Sequence, residues 1–223
     1  GRMTKLNLLI HSGTIITMRG GEIIRDGAIA IEDGTIIDVG KAGQLLRKYS
    51  SGYEKINAKG RVVVPGLVNT HQHAAMSLLR GYADDLPLQE WLEKWIWPIE
   101  GLMTAEDIYV GSLLTAVESI MGGTTTINTM YHYMPEENEA KALADAGVRG
   151  VVGHVCFSWR KDEDRRALED LAKNWHNGAG GLIRVSVDPH APYTVDPEYL
   201  KELRALREEL NKKYGFERVP IIW

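Results

Sequence analysis

Val62-Val63-Val64-Pro65-Gly66-Leu67-Val68-Asn69-Thr70-His71-Gln72-His73 is the stretch whose reading decides the fold. An apolar run closes on two histidines at i and i+2. On a β-strand that spacing points both imidazoles to one side. Two imidazoles converging at the end of a core strand suit a transition-metal ion. Pro65-Gly66 bends the chain as it enters the strand.

Upstream, residues 6–64 read as short strands and turns. Leu6 to Met18 is apolar and β-prone, and Gly20-Gly21 makes a turn. Ala28-Ile29-Ala30-Ile31 and Thr35-Ile36-Ile37-Asp38-Val39 flank Asp33-Gly34, a strong hairpin signal. A meander of this kind predicts a small β-sandwich or an open sheet over residues 1–64.

Downstream, from residue 65, strands and helices alternate. Strands are expected at Thr124–Met130, Val148–Phe157 and Leu182–Val187, with helices at about 104–121, 135–146, 162–177 and 196–214. Thr104 with Asp107 reads as an N-cap pair. Pro135 and Pro197 suit first-turn positions. Repeated βα units predict a parallel sheet with helices outside it. Val219-Pro220-Ile221-Ile222-Trp223 reads as the start of a further strand. A (β/α)8 barrel needs eight strands. Residues 65–223 are therefore expected to be the first half of an α/β TIM-type barrel, strands 1–4 and the start of strand 5.

Composition narrows the function classes. The 223 residues are 44% apolar and 25% charged, with a net charge of −4. That balance gives no reason to expect a nucleic-acid partner. No apolar run is long enough for a membrane span, and residues 1–5 lack a signal-peptide pattern. Gly1-Arg2 is expected to be an addition ahead of a native Met3. The single cysteine, Cys156, allows no intrachain disulfide and predicts a cytoplasmic protein.

The stretch ending His71-Gln72-His73 resembles the first barrel strand of the amidohydrolase superfamily, in which an HxH pair supplies two ligands of a catalytic metal. The segments Glu90-Trp91-Leu92 and Trp97-Pro98-Ile99-Glu100 narrow the likeness. They are similar to the branch holding S-adenosylhomocysteine/5′-methylthioadenosine deaminases and triazine chlorohydrolases. The likeness runs from the small β domain through Tyr193. It implies that His71 and His73 bind one divalent metal, zinc first and iron as the alternative. It implies that Trp91 lines the substrate pocket and that Glu100 binds the ribose hydroxyls. A carboxylate can accept two hydroxyl hydrogen bonds at once. Trp95 and Trp97 are expected to be packing residues.

Three further histidines fall at site positions of that branch, two with histidine counterparts and one as a departure. His190, in Asp188-Pro189-His190-Ala191-Pro192-Tyr193, follows the fourth barrel strand, where such barrels place their active-site groups. His132 follows the second. His154, within the third, stands where these deaminases carry an Arg that binds the substrate's amino-acid carboxylate. An imidazole is a poor substitute for a bidentate guanidinium, so S-adenosylhomocysteine itself is less expected than 5′-methylthioadenosine or adenosine. The implied reaction is hydrolytic deamination, in which metal-activated water attacks the amine-bearing ring carbon. Within the branch, the alternative is a chloro- or aminohydrolase of triazines or related heterocycles.

The superfamily's remaining metal ligands and its general acid/base come from strands five, six and eight. No catalytic acid or base is therefore expected within residues 1–223. The chain is expected to act in a longer protein, or to be an inactive metal-binding half-barrel that pairs with a missing C-terminal half or self-associates as a homo-oligomer.

Overall fold

Asp33 and Gly34 turn the chain with φ of 49° and 78°, joining β2 (Ile23–Glu32) to β3 (Thr35–Lys41) as the sequence predicts. The computed structural model describes residues 6–133 and 135–215. The chain divides between Pro65 and Gly66 into two compact units.

The first unit is one five-stranded open sheet. β1 (Leu8–Ile16) lies at its centre, antiparallel to β2 and parallel to β4 (Glu54–Asn57) and β5 (Val62–Val63). A simple meander has no parallel pair. The crossover that makes one here is α1 (Ala42–Lys48), a helix the strand-only reading of residues 6–64 lacks. Its apolar residues Ala42 and Leu45 fall at i and i+3. They pack on Leu9, Ala28 and Ala30 of the sheet.

In the second unit, β6 (Leu67–Gln72), β7 (Thr124–Tyr131), β8 (Arg149–Cys156) and β9 (Ile183–Pro189) form a parallel sheet in sequence order. Between β6 and β7 run a 3-10 helix (Ala74–Leu79), α2 (Leu88–Glu90), a π-helical turn (Trp91–Ile96), α3 (Trp97–Glu100) and α4 (Ala105–Met121). Next come α5 (Asn138–Ala146) and α6 (Lys161–Trp175). The short turn α7 (Gly178–Gly181) and α8 (Pro197–Tyr214) complete the unit.

Local chemistry explains most of these boundaries. Thr104 and Asp107 form the full reciprocal capping box at the start of α4. Asp196 caps α8 ahead of Pro197. Pro135 behaves differently from expectation. It opens a 3-10 turn, and left-handed φ at Glu136 and Glu137 delays α5 to Asn138. The stretch Val219–Trp223, expected to start a fifth strand, lies outside the described residues.

The sheet's alternation sorts side chains to two faces. Ile127, Val152, Cys156, Ile183, Val185 and Val187 meet the helices in the main core. Met130, Val155 and Phe157 cluster on the opposite face. Four parallel strands with helices on one side make half of a (β/α)8 barrel.

Candidate active site

A cleft of about 110 Å3 opens at the carboxyl ends of the four barrel strands. His73 directly follows β6, His132 β7 and His190 β9. Trp91 and Glu100 come from the helical segment 88–100. Five of the seven residues singled out from sequence therefore meet in one place.

The helical segment owes its cleft-facing pattern to the π turn. Trp91 and Ile96, and Leu92 and Trp97, are each five apart, the hydrogen-bond spacing of a π-helix. All four line the cleft, whereas Trp95 is exposed and stands edge-on to Tyr82. Trp97 thus belongs to the cleft wall rather than to general packing.

His73 Nδ1 donates to the Met130 carbonyl at 2.8 Å, which leaves Nε2 with its lone pair. Burial, with His71 alongside, pushes its pKa down. The His71 and His73 rings stand 5.0 Å apart, nearly perpendicular, and His71 is exposed. His190 Nδ1 lies 2.8 Å from Thr194 Oγ1, and burial lowers its pKa as well. Neutral imidazoles with one nitrogen engaged are the form that ligates metal. The donor set at the end of β6 therefore fits two ligands of a zinc-type ion, short of the three that a catalytic zinc takes.

Glu100 is 4% exposed. Tyr131 donates its hydroxyl to Glu100 Oε1 at 2.7 Å, and His132 Nε2 lies 3.2 Å from Oε2. Burial pushes Glu100 up to about 7 and His132 down to about 4. An ion pair alone would shift both the other way, so desolvation outweighs attraction here. Between those values the pair carries a single proton. Phe157 fills the space between His132 and His190, with ring centroids 6.0 and 4.9 Å away. Tyr131 and Phe157 were not among the residues singled out from sequence. Their one signal was adjacency: Tyr131 precedes His132, and Phe157 continues the inward alternation of Val155.

His154 does not line this cleft but an adjoining cavity that also touches His132. It alternates with Val152 and Cys156, on the helix-facing side of β8, and is 4% exposed. Its Nε2 meets Asp164 Oδ1 at 2.9 Å. Asp164 also accepts from the Phe157 N–H, Tyr199 Oη and Arg160 Nη2. His154, Cys156 and Asp164 bring ligand atoms within 4.8 Å of one another. The carboxylate's lone pairs are already taken, so the cluster reads as a structural network.

Comparison with known proteins places this geometry. The amidohydrolase family model matches residues 62–215. A 5-methylthioadenosine/S-adenosylhomocysteine deaminase of Desulforamulus reducens is 46% identical over 196 residues, 86% of this chain and 45% of that protein. A 5'-deoxyadenosine deaminase of Methanosarcina mazei is 42% identical, covering 89% of this chain and 45% of that one. An adenosine deaminase structure from Xanthomonas campestris with bound zinc superposes with a TM-score of 0.73 at 28% identity, over 97% of this chain and 48% of the other. Atrazine chlorohydrolase from Arthrobacter aurescens shares the fold, with a TM-score of 0.78 at 21% identity over 93% of this chain and 51% of its own. The chain spans about half the length of the relatives it matches.

Proposed function

This chain belongs to the amidohydrolase family, and we propose that it supplies the substrate-binding half of a metal-dependent hydrolytic deaminase of adenosine-type nucleosides. The observation that carries this reading is the convergence of His73, Trp91, Glu100, His132 and His190 on one cleft. The names of the sequence relatives support it. In this reading residues 1–64 are the small β domain and residues 65–223 the barrel half.

A divalent metal, when bound, lowers the pKa of water toward neutrality. His71 and His73 would hold it, with zinc suggested by the ion in the Xanthomonas structure. Glu100, once ionised, accepts hydrogen bonds from both hydroxyls of a ribose diol. Trp91 and Phe157 present apolar faces that exclude water from the base. His190, its Nδ1 engaged by Thr194 Oγ1, would contact the base through its Nε2 edge. The chain spans about half the length of its relatives, and in this reading the general acid and base lie in the other half of the full-length protein.

A full-length protein containing this chain should release ammonia from 5′-methylthioadenosine and adenosine. Stripping its metal with a chelator should stop that release. If the substrate panel gave only triazine dechlorination, or if turnover survived metal removal, the reading would fail.

A further inference from the structure

Glu139, in the first turn of α5, is fully buried. Among the described residues no Lys, Arg or His pairs with its carboxylate. Burying an unpaired charge costs several kcal/mol. Ala140 and Leu143 of the same helix join the apolar core, so an apolar residue at 139 would serve packing better.

Its partners explain its place. Thr129 Oγ1 donates to Glu139 Oε1 at 2.5 Å and accepts from the Ala74 N–H at 2.9 Å. Burial pushes the Glu139 pKa up to about 7; once ionised, its carboxylate can only accept, so it fixes the direction of the hydroxyl and turns the oxygen's lone pair toward Ala74. The Ala75 N–H acts on the same carboxylate, although Oε2 has no full hydrogen bond. From the other side Thr115 Oγ1 donates to the Ala74 carbonyl at 2.7 Å. A Cβ on Gly111 would strike the Ala75 carbonyl oxygen, so α4 presses closely on this backbone. Residues 129 and 130 thus anchor consecutive groups. Thr129 takes the Ala74 N–H, and the Met130 carbonyl takes the His73 imidazole.

We infer that Glu139 is a positioning residue for His73: through Thr129 it pins the Ala74 backbone and so holds the imidazole against the Met130 carbonyl. The inference deepens the proposed metal role of His73 and rests on that role for its purpose. Its geometry does not.

The test uses the 223-residue chain with Glu139→Leu and Glu139→Gln. The readouts are the nitrogen-15 NMR signals of the His73 ring, hydrogen exchange at the Ala74 amide, and zinc titration. Glu139→Leu should lose the single Nδ1–H form of His73 and speed Ala74 exchange about tenfold to a hundredfold. Glu139→Gln, which keeps one acceptor, should restore part of both. A wild-type His73 signal and wild-type exchange in folded Glu139→Leu would overturn the inference. So would equal changes in Leu168→Ala at matched loss of stability, since that would mark a merely structural role. If Glu139→Leu does not fold, Thr129→Val cuts the same relay and is judged by the same readouts. A full-length protein that binds no zinc while His73 still responds to Glu139 would sink the metal reading and leave the positioning role standing.

Discussion

Buried Glu100 and half-buried His132 face each other, Oε2 to Nε2 at 3.2 Å, and desolvation drives both groups toward their neutral forms. Folded Glu100 keeps its proton up to about pH 7, against an ordinary 4.5, so its contribution to stability is lost as pH rises through that window. Folded His132 loses its proton near 4, against 6.5, so its contribution is lost as pH falls through 6.5 toward 4. Between about 4.5 and 6.5 the folded and unfolded pairs each carry one proton, and the two slopes cancel. Glu100→Gln should expose the His132 slope, losing stability as pH falls. His132→Gln should expose the opposite slope, with up to about 3 kcal/mol lost as pH rises to 7. Denaturant titrations across this range decide the matter; parallel profiles for the two variants would refute it.

The same carboxylate bears on the substrate. If Glu100 binds a ribose diol, Glu100→Ala in a full-length protein should raise KM about tenfold or more for nucleosides and leave it near wild type for free bases. Wild-type KM for nucleosides should fall as pH rises through about 7, where Glu100 ionises. Equal effects on nucleosides and bases would remove the ribose contact.

His73 carries the metal assignment. His73→Ala should bring bound zinc well below one equivalent and abolish turnover in a full-length protein, while circular dichroism stays that of the folded chain. Retention of stoichiometric zinc by the variant would place the ion elsewhere.

His154 should behave as a structural residue. Asp164→Ala removes a carboxylate that accepts four hydrogen bonds from His154, Phe157, Arg160 and Tyr199, and should cost about 3–5 kcal/mol. His154→Ala should also lower stability yet leave nucleoside KM unchanged. A specific rise in KM at unaltered stability would return His154 to the substrate site.

Gly111 tests the packing behind the strand β6 that ends at the paired histidines. Gly111→Ala adds a Cβ against the Ala75 carbonyl and should cost about 1–3 kcal/mol, although alanine is the better helix former. An increase in melting temperature would show that the 3-10 helix Ala74–Leu79 can yield.

Much of this was legible because it is local. The Asp33-Gly34 hairpin, the Thr104–Asp107 capping box and the α8 start at Pro197 each depend on residues within one turn of each other. The strand alternation with helices announces a parallel sheet, and the HxH pair the carboxyl end of its first strand, where the cleft opens. Helix α1 was missed because only two buried residues, Ala42 and Leu45, carry its apolar face. Trp97 was missed because a π turn shifts the helical period by one residue, and nothing in the local sequence marks that turn.

His154 and Glu139 show the boundary most clearly. The sequence by itself determined the half-barrel, the paired histidines at its strand end, and the segments that carry Trp91, Glu100 and His190. It could not determine which side of β8 His154 faces, since a shift of one residue in a strand reverses every side chain. Nor could it show that Glu139 would meet Thr129 beneath His73, or that Glu100 and His132 would come within 3.2 Å and both be driven toward neutrality. Those facts depend on distances between segments tens of residues apart and on the water that folding removes between them, and only the tertiary structure decides both.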